Sequence, residues 1–301
     1  MKSWGIRAWL DRVKPNSKTA GYYFVAPIMF LLMVFMVYPI FSSLLLSFQK
    51  FNVGEYRYVG LDNYRTLFAD PSFKAAVSNN LFYLVVQVPL MITLATVLAV
   101  LINSKLVRFK EFFRISYFMP SITALVAYSL VFRLILNTDY GFLNYLLNVI
   151  GLPAVDWLNN PITAKLSIVM GQTWRWTGYN MVILLAGLQS ISEDIYEAAD
   201  IDGAGACDKF FRVTLPLLRP MILFCFVTST IGSLRLFDES YVLTYGGPDN
   251  ATITISHYLY NTAFRFMKFG YASAISYVLV IVTVALSALE FWISGRSDVS
   301  D

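Results

Sequence analysis

Charge is what this 301-residue chain has least of: Asp, Glu, Lys and Arg make up only 14% of it, against about a quarter in ordinary soluble domains. Histidine is scarcer still, with His257 alone. The two cysteines, Cys207 in a polar stretch and Cys225 in an apolar one, have neither metal-ligand spacing nor a disulfide framework. No HExxH or GxSxG occurs, and the apolar runs carry no cluster of carboxylates, so hydrolytic and redox chemistry have almost no raw material. The chain is expected to have no catalytic residues, no metal site and no bound cofactor. A GxxxxGK[ST] loop is missing too, so any ATPase serving this protein must be another polypeptide. Glu290 is the one acidic residue inside an apolar run, which argues against a carrier driven by an internal proton or sodium site. Internal repeats, low-complexity tracts and a separate soluble domain are absent as well.

Apolar residues, by contrast, are 57% of the chain. About 20 of them in a row cross the hydrocarbon of a bilayer, and six such runs are read: 22–47, 81–103, 115–136, 164–188, 221–237 and 271–294. The expectation is an all-α, multi-pass protein of the cell (inner) membrane: a basic N-terminus (1–20), one transmembrane domain (21–295) and a short tail (296–301). The first run follows Lys2, Arg7, Arg12, Lys14 and Lys18, is too long for a secretory signal, and reads as a retained anchor. Pro27, Pro39, Pro89 and Pro120 are expected to kink or end their helices.

Lys and Arg placement gives the orientation. With the N-terminus inside, inner segments hold thirteen of these residues and outer loops six. That bias puts both termini in the cytoplasm. The net charge of +4 then reports topology and not nucleic-acid binding.

One inner segment, 190–220, is more elaborate than a connector requires. Glu193–Ala199 is rich in helix formers after Ser192, Gly203 and Gly205 can take a positive φ, and Pro216 suits the start of a following helix. Its Glu197-Ala198-Ala199, Gly203, Val213 and Leu215-Pro216 resemble the EAA loop of permease subunits in binding-protein-dependent ABC importers, with Val213 in place of the usual isoleucine. Thr244-Tyr-Gly-Gly-Pro248 and Leu188–Tyr196 are similar to the sugar-type permeases related to the maltose system. The resemblance covers nearly the whole chain. It implies the type I importer architecture of six transmembrane helices, a second permease in a heterodimer, two ATP-binding subunits that carry the ATP and Mg, and an extracytoplasmic solute-binding protein. It also implies that Glu197, Ala198, Ala199, Asp200, Gly203, Val213, Leu215 and Pro216 couple to the ATPase. A surface hairpin lying on lipid headgroups is the plainer alternative. Phe210 and Phe211 could anchor the segment.

For the solute path, Gln172, Arg175, Trp176 and Tyr179 fall at i, i+3, i+4 and i+7 of the fourth run, with Asn180 beside them. Rings and amides suit a sugar, whose C–H faces pack on aromatics while hydroxyls exchange hydrogen bonds. These positions match the pathway of the maltose-type subunit by resemblance; plain helix–helix contact is the alternative. Thr228, Ser229, Ser233, Arg235, Phe237 and Asp238 offer a second wall, with an Arg235–Asp238 ion pair as the competing reading. In the outer loops, 142–150 reads as a short interfacial helix stopped by Gly151, and the 244–268 segment, with its Gly-Gly-Pro turn, reads as a contact for the binding protein or the second permease. The solute is read as a mono- or oligosaccharide. A polyol or glycerol-phosphate-like solute, a stand-alone channel and a lipid-modifying enzyme are the alternatives carried.

Overall fold

The computed structural model describes residues 20–52, 54–104 and 106–295; the basic N-terminus, Lys105 and the 296–301 tail, Arg296 included, lie outside the described residues. Helix α1 runs Ala20–Ser47 and stands with its apolar side chains exposed, Phe24 and Phe35 among them. Its middle, Met33–Val37, widens into a π turn just before Pro39. The wider turn accommodates a proline that has no N–H to give and a ring that crowds the preceding carbonyl.

A small β-hairpin follows, β1 (Gln49–Asn52) antiparallel to β2 (Glu55–Tyr58), which corrects the all-α expectation. Gly54 turns it at φ +88°, and the Phe51 and Tyr56 rings pair across it at 5.2 Å. Helix α2 (Asp62–Ala69) leads into α3 (Pro71–Asn103), which starts on a strong cap: the Asp70 carboxylate accepts the Ser72 N–H at 2.8 Å, and Pro71 needs no partner.

The third apolar run is not one straight span. It forms α4 (Lys110–Ile122) and α5 (Leu125–Ile135), bent by 99° at Thr123 and Ala124, both extended. Pro120, three residues before the break, weakens the turn in which α4 ends. The short helix α6 (Phe142–Val149) is followed by Gly151 at φ +79°, a left-handed stop. Helix α7 (Pro161–Gln189) is capped by Asn160, whose side-chain oxygen accepts the Ile162 N–H at 3.0 Å.

Then come α8 (Glu193–Ile201), α9 (Ala206–Leu217), α10 (Arg219–Leu234), a π turn over Glu239–Leu243, α11 (Ile255–Tyr260) and α12 (Phe269–Gly295). Helix α10 ends at Leu234, three residues short of the expected Phe237. Pro216 stands, as expected, in the first positions of a helical turn, Leu215–Leu217, though that turn is short. It lies near the end of α9, after a π turn over Lys209–Thr214.

By length and composition α1, α3 and α12 are able to cross a membrane, as are the bent pairs α4–α5 and α9–α10. Helix α7 is 29 residues long but carries a polar stripe that lowers its hydropathy. The core is α3 against α7: Val88, Met91, Ala95 and Ala99 meet Met181, Leu184 and Leu188, with Leu218 and Cys225 closing the side. Small residues set these distances, as between helices in lipid. A side chain on Gly178 would collide with the Tyr117 carbonyl of α4, and one on Gly187 would meet Met221 and Leu218. Two buried amides on α3 hold the segment that follows α10. Asn80 donates to the carbonyls of Ser233 and Leu234 and accepts the Ile255 N–H, while Asn79 donates to Asn250 and Ile253.

Candidate functional site

A cavity of roughly 340 Å³ opens where α3, α5, α7 and the end of α10 converge. Of the residues expected along the path, Gln172, Trp176, Tyr179 and Asn180 line it from α7, and Ser233, Arg235 and Asp238 line it from the far side. Trp176 and Tyr179 stand edge to face at 5.8 Å, so the wall presents one ring face and one ring edge. Asn180 is buried; its amide N–H donates to the Trp176 carbonyl at 3.1 Å, and its side-chain oxygen has no partner. The Ser233 hydroxyl is buried without a partner as well. Unpaired buried polar atoms cost free energy unless something pairs with them. Both residues stand in the cavity wall, at opposite sides.

Arg175 does not join this wall. It is buried behind it, with its guanidinium over the Tyr128 ring at 4.8 Å and Nη2 donating to the Ser121 carbonyl at 3.2 Å. Arg175 therefore buttresses the α4–α5 break. The helical wheel explains the difference. Taking Gln172 as zero and about 100° per residue, Tyr179 lies near −20°, Trp176 near +40°, Asn180 near +80° and Arg175 near −60°. The cavity faces the positive arc. Arg235 and Asp238 make no ion pair with each other, which corrects the competing reading: Arg235 is exposed and Asp238 half-buried.

Sequence reasoning missed Gln87 on α3 and Glu239 in the π turn, both cavity-lining and buried. Glu239 accepts a hydrogen bond from the Tyr128 hydroxyl of α5. Its signal was the doublet Asp238-Glu239 directly after an apolar run.

At the other end, residues 192–217 form a helical hairpin. Ser192 caps α8 by accepting the Asp194 N–H at 3.3 Å. Gly203 takes φ +76°, and the Ala204 N–H returns to the Ala199 carbonyl at 2.9 Å, closing the helix end. Lys209 Nζ meets Asp200 Oδ1 at 2.6 Å, and the Tyr196 hydroxyl meets Thr214 at 3.1 Å, tying the two arms. Glu197 and Ala198 are exposed, Ala199, Val213 and Leu215 half-buried, and Pro216 exposed. Ile201 and Phe211 are exposed too, at 87% and 63%. Large apolar side chains on an otherwise polar protrusion mark a contact surface.

At the end of the helices away from the hairpin stand two titratable groups. Burial pushes the Asp70 carboxyl up, but bonds from the Tyr258 and Tyr271 hydroxyls and the Ser72 N–H outweigh it and hold it below the usual range. His257, buried with Nδ1 2.8 Å from the Ser240 hydroxyl, is pushed down to about 4 by burial and by the charge of Arg265. It is a neutral packing ring at pH 7. A second cavity, of about 420 Å³, lies beside Asp70, Tyr258 and Tyr271.

The family described as the binding-protein-dependent transport system inner membrane component matches residues 25–297. The lactose transport system permease protein LacF of Rhizobium radiobacter is 46% identical over 277 residues, covering 90% of this chain and 93% of that protein. The arabinooligosaccharides transport system permease protein AraP of Bacillus subtilis is 38% identical, covering 93% and 90%. Among solved structures, a chain of a bacterial ABC transporter that imports the acidic polysaccharide alginate superposes with a TM-score of 0.83 at 22% identity. That match covers 96% of this chain and 99% of the other, and it shows a shared fold.

Proposed function

Because this chain belongs to the family of binding-protein-dependent transport system inner membrane components, we propose that it is the permease subunit of an ATP-driven importer for a neutral mono- or oligosaccharide. It works with a second permease, two ATP-binding subunits that hold the ATP and Mg, and an extracytoplasmic binding protein. The carrying observation is the pairing of two features along α7: the cavity beside its middle, with unpaired Asn180 Oδ1 and Ser233 hydroxyl, and the hairpin after its C-terminal end, with exposed Glu197, Ile201 and Phe211. Relatives named for lactose and for arabinooligosaccharides support the solute class. Arg175, the residue that could have favoured an anionic or phosphorylated solute, stands behind the cavity wall.

In this reading all six runs cross the membrane, α4–α5 and α9–α10 as bent spans, and both termini lie in the cytoplasm. The ATPases grip the hairpin through Glu197, Ala198, Ala199, Asp200, Gly203, Val213, Leu215 and Pro216. Their closure is transmitted along α7, whose base is braced by Leu188 against Leu218. Gln172, Trp176, Tyr179, Asn180, Ser233, Arg235 and Asp238 contact the solute. The chain itself catalyses nothing.

The test is uptake of radiolabelled lactose into vesicles holding all four membrane and ATPase subunits, with the binding protein added outside. Accumulation that requires both ATP and the binding protein is the expected result. Equal passage without ATP supports a channel and overturns the reading.

A further inference from the structure

The Glu239 carboxyl is buried, lines the cavity, and accepts the hydroxyl of Tyr128, which does not line it. Tyr128 thus reaches Glu239 from behind, and the bond joins two elements that bound the cavity. One is α5, which contributes Leu125; the other is the segment Arg235–Leu243, which contributes Phe237 and Asp238. A second tie lies about one and a half turns further along α5, where Arg133 Nη1 donates to the Tyr245 hydroxyl at 2.9 Å and its guanidinium lies 4.8 Å from that ring.

On its other side α5 meets α4 at the 99° break, where Thr123 and Ala124 are extended and carry no regular helical ladder. A helix attached through such a break, and tied on its far side by the buried Tyr128–Glu239 bond and the exposed Arg133–Tyr245 contact, has a hinge and a fastening. A buried carboxyl needs its donors; Gln172 of α7 supplies one, and Tyr128 supplies the one that reaches α5. The contact is therefore discrete: made, or replaced by another donor. A solute hydroxyl in the cavity is such a donor.

We propose that Glu239 is a solute contact that also latches α5 through Tyr128, and that this latch parts in each cycle to open the cavity toward the outside. The proposal rests on the import reading and on the direction it assigns to the spans.

Two measurements test it, both in the complete transporter with Cys207→Ser and Cys225→Ser. The first uses Arg133→Cys with Tyr245→Cys, which face one another across the same two elements but do not line the cavity, and compares uptake before bridging with a bifunctional methanethiosulfonate reagent, after bridging and after reduction. Bridged vesicles are expected to lose uptake roughly tenfold or more and to recover on reduction. Recovery also shows that the variant folds. Equal uptake with the bridge fully formed overturns the latch.

The second needs no transport. Ser229→Cys, on the cavity wall, is labelled from outside in right-side-out vesicles with a membrane-impermeant maleimide. Tyr128→Phe is expected to raise the labelling rate several-fold, and Glu239→Gln, whose amide oxygen can still accept the tyrosine, by less. An unchanged rate in Tyr128→Phe overturns the proposal. Loss of ATP-dependent uptake in the parent transporter would overturn the import reading alone.

Discussion

The cavity and the 192–217 hairpin invert one another. In the cavity, polar atoms are buried and some, Asn180 Oδ1 and the Ser233 hydroxyl, have no partner. On the hairpin two pairs of charged groups meet near or at the surface, Lys209 with Asp200 and Arg212 with Asp208, while Ile201 and Phe211 point outward without cover. Each region departs from the rule that apolar groups bury and polar groups solvate, in opposite directions. The first departure suits a small hydroxylated ligand, whose donors and acceptors replace water. The second suits a protein cleft, where apolar anchors contribute most of the binding. The middle of α7 and the hairpin after its C-terminal end are thereby read as serving different partners.

The contrast can be broken most severely at Gly203. Its φ of +76° lies far from the −65° that proline demands, so Gly203→Pro cannot close the hairpin. Uptake and solute-stimulated ATP hydrolysis should both vanish while the chain still inserts; normal ATP-coupled uptake by that variant removes the coupling role. A smaller effect is expected in the cavity. Trp176→Ala should lower uptake by roughly tenfold, the order of about 1–1.5 kcal/mol from one lost ring contact. ATP hydrolysis without solute should stay unchanged. If hydrolysis without solute falls as far as uptake does, the two regions are not separable in function.

His257 sharpens the contrast from outside both regions. Its folded-state value of about 4 lies below the unfolded 6.5, so the unfolded chain takes up the proton first as pH falls. Stability is fully present above pH 6.5 and should decline between about 6.5 and 4, read as melting temperature against pH. His257→Gln should flatten that slope. The smallest effect belongs to Lys209→Gln. The Lys209–Asp200 pair is partly exposed, so its loss should cost less than about 1 kcal/mol and shrink further in salt. A large loss of transport without a loss of melting temperature would instead assign Lys209 to the ATPase contact.

Much of this was legible in the residues. The long apolar runs became α1, α3 and α12, and Ser192 and Gly203 bounded the α8 turn because capping and positive φ are local chemistry. The i, i+4, i+7 spacing of Gln172, Trp176 and Tyr179 found one wall because helical periodicity is local too. Arg175 fell off that wall because spacing gives a face only to within about 60°, and the neighbours decide which part of it is used. Gln87 and Glu239 were missed since nothing in one helix says which other helix it meets. The break at Thr123–Ala124 escaped because hydropathy measures length, not direction. The β-hairpin hid in a polar loop where only Gly54 marked a turn.

The central claim is that the hairpin faces the cytoplasm and is gripped there. The chain carries its own probe: Cys207 is exposed on the hairpin and Cys225 is buried. A membrane-impermeant maleimide should leave Cys207 unlabelled in right-side-out vesicles. It should label Cys207 in inverted vesicles stripped of the ATPases, and less so once the ATPases are restored. Labelling of Cys207 from the outside of sealed right-side-out vesicles would contradict the account.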